Sequence, residues 1–177
     1  MGAKSGAEEM LEPTTGLPWY ALKVRTNGES KSNLALITKG YETFLPTYID
    51  VRRYSDRLKK VPAALFPGYL FCRLDVEYRL PVLTTSGVES IVGIGGEPLP
   101  IEEEEIRVIR KVVHSGVEAI PWPYLKEGDR VRVQFGSLTG VEGTLIKVRG
   151  AARLVISIHF LQRSISFEVD REWVRPL

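Results

Sequence analysis

Few side chains in this sequence are suited to covalent or metal chemistry: two histidines, His114 and His159, and one cysteine, Cys72. A Cys/His zinc site needs four ligands at short spacings, which this set cannot supply. A lone cysteine also excludes an intramolecular disulfide, which fits a reducing compartment. His114 ends a helical pattern, where the dipole favours a positive imidazole. His159 falls on the side of an alternating run away from its apolar residues. Neither histidine has a spaced Ser, Cys or Asp partner of the kind a triad uses. Gly93-Ile94-Gly95-Gly96 lacks GxGxxG spacing, and Pro98 and Pro100 follow where a phosphate loop would have a helix N-terminus. Four glutamates, Glu102 to Glu105, precede Arg107, Arg110 and Lys111, a charge order that suits a helix dipole rather than a metal. Cys72 lies in a strand-like run and reads as inert core. No catalytic residue, metal or cofactor is expected, so the chain reads as a binding protein and not an enzyme.

What remains is charge and apolar surface. The net charge is +2, but its distribution is uneven. Residues 18–75 carry ten Lys/Arg against five Asp/Glu, residues 76–125 four against eight, and residues 126–177 nine against six. Two basic segments flanking an acidic one point to anionic partners for particular faces. Arg25, Lys31 and Lys39, with Arg52, Arg53, Arg57, Lys59 and Lys60 on an adjoining hairpin, have few acids nearby. They suit backbone phosphates, unless they are simply solvated surface.

The apolar signal is concentrated in LFPGYLF, residues 65–71. Read as a strand, it places Leu65, Pro67, Tyr69 and Phe71 on one face and Phe66, Gly68, Leu70 and Cys72 on the other. Both faces are apolar, whereas a half-exposed strand is apolar on one. Either the strand is central and covered on both sides, or the face bearing Tyr69 and Phe71 lines a patch for another protein.

The elements that must position these residues follow from the pattern. PWYALKVRT (18–26) reads as a strand. Asn27 is placed to cap a helix that Gly40 ends, with Leu34 and Ile37 as its apolar stripe. YETFLPTYIDVRR (41–53) reads as a strand interrupted at Pro46, YSDRLKKVP (54–62) as a basic loop, and ALFPGYLFCRLD (64–75) as the next strand. A short helix broken by Pro81 and a short strand with a Gly/Pro loop follow. Residues 101–116 form an amphipathic helix whose buried face is Ile106, Ile109 and Val113. After a Pro-rich linker the period changes to two: Val131, Val133 and Phe135; Leu154, Ile156, Ile158 and Phe160; Ile165, Phe167 and Val169. That spacing, with glycine-rich turns, describes a small closed β-barrel. The expected fold class is α+β: a disordered tail (1–17), an α/β domain (18–115), a linker (116–125) and a barrel (126–177). The tail has no apolar secretory core, and no run reaches the roughly 18 apolar residues of a membrane span. A cytoplasmic monomer with no membrane partner is expected.

WYALKVRTN, FLPTYIDVRR, LFPGYLFCRLD and SGVESIVGIGGEPLPIEEEEI, in this order, resemble the N-terminal NGN domain of the NusG family. EGDRVRVQFGSLTGVEGTLIKV resembles a KOW motif, with Gly140 and Gly143 in its turn. The hairpin pattern leans towards specialised paralogues of the RfaH kind. The resemblance implies an antiparallel NGN sheet flanked by helices and an SH3-like KOW barrel. It implies a bacterial transcription elongation or antitermination factor without catalysis of its own. By this resemblance an apolar pocket built from Leu65, Pro67, Tyr69 and Phe71, with Lys23 where RfaH has an aromatic, binds the clamp helices of RNA polymerase. Arg25, Lys31 and Lys39 would face non-template DNA. Leu138, Thr139 and Val141 in the KOW turn would meet a partner, such as a ribosomal protein S10-type protein or Rho. A KOW-type RNA-binding module of ribosomal or RNA-chaperone kind is the alternative. The β-branched, alternating C-terminal segment is expected to form a barrel only, without refolding to helices.

Overall fold

The computed structural model describes residues 16–53, 57–123, 128–148, 151–158 and 161–177. His159, Phe160 and nearly all of the expected tail lie outside the described residues. The N-terminal part runs β1 (Trp19–Val24), α1 (Glu29–Thr38), β2 (Thr43–Phe44), β3 (Thr47–Arg53), β4 (Leu58–Ala64), β5 (Tyr69–Arg73), α2 (Leu80–Leu83), β6 (Val88–Ile91), β7 (Gly93–Ile94), β8 (Glu97–Pro98), β9 (Pro100–Ile101) and α3 (Glu103–His114). The C-terminal part adds β10 (Ile120–Trp122), β11 (Asp129–Val133), β12 (Glu142–Val148), β13 (Ala151–Ile158), β14 (Arg163–Glu168) and β15 (Val174–Pro176).

β1 lies at the centre of an antiparallel sheet in the order β2-β5-β1-β6, with β9 also pairing to β1. Because both faces of this sheet are covered, β1 and β5 are apolar on both parities, as fully buried strands are. Leu22, Leu70 and Cys72 point to one side, where Leu36 of α1 and Val82 of α2 close the core. Trp19, Ala21 and Phe71 point to the other, against Ile106, Ile109 and Val112 of α3. This second cluster continues without a break into Val131, Val133, Leu154, Ile156, Ile165 and Phe167 of the C-terminal part. The two units thus share one apolar core, a docking the amino-acid pattern did not reveal.

Several local expectations are corrected. The central heptapeptide is a turn followed by a strand: Tyr69 N–H donates to Phe66 O at 3.0 Å, and Gly68 has φ +81°. Proline then glycine at the two central positions is the type II preference, because only glycine enters that positive φ without strain. The turn breaks the parity, so Phe66 packs with Phe71 and not with Leu70 and Cys72. At α1, Asn27 has φ +64° and Gly28 occupies the N-cap, with no side-chain cap. The buried face of α1 is Glu29, Ser32 and Leu36, while Leu34 and Ile37 are exposed. The expected basic loop is largely strand β4, with Pro62 tolerated because β3 and β4 pair only with each other.

In the C-terminal part, residues 120–122 of the expected linker form β10 and pair with β14. Phe135 is exposed rather than inward, since β11 ends at Val133. The sheet order is β10-β14-β13-β12-β11-β15, leaving β10 and β15 as edges among the described residues rather than a closed ring. No helix among the described residues is long and apolar enough to cross a membrane.

Candidate functional site

The aromatic face of the sheet is built around Phe71. Phe44 stacks on it with ring centroids 6.0 Å apart, and Phe66 meets it edge-on at 5.7 Å. Arg110 of α3 lies over the Phe44 ring at 5.2 Å and over Trp19 at 5.0 Å, while Arg73 covers Trp19 at 4.6 Å. Arg73 is itself held by Glu42 at 3.0 Å and Glu103 at 2.8 Å. These cations spread over rings whose faces carry partial negative charge, so α3 is fastened to the sheet by electrostatics as well as area.

The residues expected to bind polymerase are thereby divided. Leu65 and Phe71 are fully buried, and Tyr69 is half-buried. Over the Tyr69 ring, 5.5 Å from its centroid, lies the guanidinium of Arg163 from β14. Lys23 is paired across the strands with Tyr69, but its exposed ammonium lies 3.6 Å from Glu89. Pro67 does not join them: the Gly68 turn sends it to a separate groove of about 340 Å³ bordered by Thr26, Glu29 and Tyr48. There the buried Glu29 carboxylate accepts from Gly68 N–H at 2.8 Å, pinning the turn to the start of α1.

The three candidate DNA-facing cations also differ. Arg25 and Lys31 are exposed. The Lys39 ammonium donates to Pro81 O and to Thr85 Oγ1, both at 2.8 Å. It ties α1 to the end of α2 through two neutral acceptors, leaving its charge unpaired by an acid among the described residues. In the turn between β11 and β12, Leu138 and Val141 are buried in the shared core. Thr139 is exposed, with its hydroxyl donating to Gly136 O at 2.7 Å, and its carbonyl accepts from Lys111 of α3.

Between α3 and the C-terminal sheet runs a cleft of about 260 Å³, lined by Glu104, Glu105, Val108, Arg130, Thr144 and Ser157 among others. Burial pushes the Glu105 carboxyl above its ordinary value, and the neighbouring Glu102 charge adds to this. The hydrogen bond from Arg107 holds Glu104 low. Burial, with Glu42 adding, raises the Cys72 thiol to about 12, as an inert core cysteine requires. Among the described residues no group of three or more His, Cys, Asp or Glu side chains is arranged to hold a metal ion. Sequence reasoning missed Arg163, since nothing local marks an arginine that lies on an aromatic far away in the chain.

A family model described as "Transcription termination factor nusG" matches residues 17–110, more than half of the chain. The chain belongs to the NusG family. A Thermus thermophilus protein named transcription termination/antitermination protein NusG is 30% identical, with 80% of this chain and 90% of that protein covered. A Deinococcus radiodurans protein of the same name is 31% identical, over 87% of this chain and 96% of its own length. A solved structure titled "Domain interaction in Thermotoga maritima NusG" covers 93% of this chain with a TM-score of 0.55 at 19% identity, and supports the NusG fold. The relatives are named NusG, which places the chain with general transcription elongation and antitermination factors. The leaning towards an RfaH-like paralogue finds no support in them.

Proposed function

We propose that this NusG-family chain acts by binding, without catalysis of its own, as a cytoplasmic elongation and antitermination factor. The aromatic face around Tyr69 and Phe71 binds the clamp helices of RNA polymerase. Arg25 and Lys31 approach non-template DNA, and the C-terminal unit recruits a further protein partner. The observation that carries this reading is the position of Tyr69. It is a large half-buried aromatic at the rim of an aromatic cluster, covered by one arginine from the other unit. Aromatics at such a rim offer large contact area at low entropic cost.

In the docked arrangement Leu65, Phe71, Leu138 and Val141 are all buried. Arg163 of the C-terminal unit lies over Tyr69, so binding of polymerase at Tyr69 requires the C-terminal unit to move aside.

The test is transcription in vitro on a pausing template. The expected result is a shorter pause with the full chain, lost in Tyr69→Ala while the thermal unfolding midpoint stays close to wild type. Unchanged pause lifetimes with the wild-type chain, or a Tyr69→Ala variant as active as wild type, would overturn the assignment.

A further inference from the structure

We propose that Glu105 makes the docking of the two units sensitive to pH, holding them together when protonated and loosening them when charged. The geometry begins in α3. Glu105 lies three and four residues before Val108 and Ile109, so the three side chains share one face of the helix. That face lines the cleft of about 260 Å³ against the C-terminal sheet. Glu102, Glu103 and Glu104 of the same turn are exposed, whereas Glu105 is half-buried. An acid thus stands at the head of an apolar stripe that the other unit covers.

The other charges lining this cleft are already matched. On α3, Glu104 takes Arg107 at 2.7 Å. On the opposite wall Glu142 of β12 is held by Arg132 of β11 at 2.5 Å and by Arg130 at 3.7 Å. β13 contributes Val155, Ile156 and Ile158, with the Ser157 hydroxyl bonded to that of Ser164 at 2.7 Å. The Glu105 carboxyl has no ion pair or hydrogen bond among the described residues, and Glu102, one turn back, adds only a second negative charge. A carboxylate buried without a partner is costly, whereas the neutral acid is not.

Burial accordingly raises the Glu105 carboxyl above its ordinary 4.5, and the Glu102 charge acts in the same direction. Opening the cleft returns this side chain to water and removes the burial that raised it. The docked form therefore binds the proton more tightly than the open form. Below 4.5 both forms are protonated and docking is at its strongest. As pH rises the open form gives up its proton first, so docking weakens until pH has passed the raised value. One proton limits the change to about tenfold in the docking equilibrium per pH unit. The inference rests on the docked arrangement and not on polymerase binding, so the two can fail separately.

The test is ¹⁵N relaxation of the full chain between about pH 4.5 and about pH 8, which reports whether the two units tumble together. It is run on the wild type and on Arg163→Ala, where weaker docking leaves more of the open form to detect. Tumbling should become more independent as pH rises, and the ¹³C shift of the Glu105 side-chain carboxyl should titrate over the same range. Glu105→Gln, its folding checked by circular dichroism, should stay docked at the upper end of the range and lose the pH dependence. His114→Gln, altered at the far end of α3, should keep it. Tumbling that does not change with pH in either background overturns the proposal, as does a dependence that survives in Glu105→Gln or disappears in His114→Gln. A Glu105 carboxyl that titrates at its ordinary value in the docked chain overturns it as well.

Discussion

The contact between Arg163 and Tyr69 offers the sharpest perturbation. Its guanidinium lies 5.5 Å from the ring centroid, and Arg163 is exposed, so the interaction belongs at the modest end, about 0.5–1 kcal/mol. Replacing Arg163 by alanine also removes a stem that covers part of the ring, which acts in the same direction. Loss of 0.5–1 kcal/mol from the docked state shifts the balance between docked and open forms by about two- to fivefold. If polymerase binds only the open form, and that form is the minor one, apparent affinity rises by the same factor. Arg163→Ala should therefore bind a labelled clamp-helix fragment about two- to fivefold more tightly than wild type. Tyr69→Ala frees the same contact but removes a binding group, so it should bind more weakly. Anisotropy titration of both variants measures this, with ¹⁵N relaxation reporting whether the two units tumble together. Equal or weaker binding by Arg163→Ala, with the two units tumbling independently, would refute the view that docking competes with polymerase.

Other consequences are more local. Gly68→Ala places a side chain at φ +81°, with the new Cβ 3.3 Å from Thr26 Oγ1; a loss of about 1–2 kcal/mol is expected in denaturant unfolding, and an unchanged midpoint would remove the turn's need for glycine. Cys72, with its thiol raised to about 12 and no exposure, should not react with a disulfide reagent at neutral pH until the chain unfolds; stoichiometric labelling of the native protein would contradict this. Glu105 has a carboxyl pKa above its ordinary 4.5 in the fold, so its charged form is the one the fold disfavours. Its contribution is lost as pH rises from below that value through the raised one. Glu105→Gln should therefore be more stable than wild type near neutral pH, with the difference shrinking as pH falls below 4.5; a constant difference would show that burial of the charge is not the cause.

Much of the fold was legible because strong local signals agreed. In α3 the first-turn glutamates, the following cations and the apolar spacing all favour one helix, and Ile106 and Ile109 are buried as expected. β4 and β10 were hidden by residues that usually mark loops: a charge run with Pro62 in the one, Pro121 in the other. One lies at a sheet edge and the other in an isolated pair, where proline costs least. Of the candidate site, residue types were readable but their grouping was not. Pro67 left the aromatic face because of one positive φ, and Lys39 went to the end of α2 because its long side chain reaches a carbonyl there.

By itself, the sequence determined that both parities of β1 and β5 are apolar, that Pro67-Gly68 sits between two hydrophobic runs, and that cations gather around residues 52–60. These are properties of side-chain type and order, and they hold whatever the chain packs against. Only the tertiary structure decided what covers each face: α1 and α2 on one side, α3 on the other, and Arg163 over Tyr69. Burial is non-directional, so an apolar residue is satisfied equally by its own domain, by the neighbouring one or by a partner. Which of these it meets depends on contacts between distant parts of the chain, which local order cannot express.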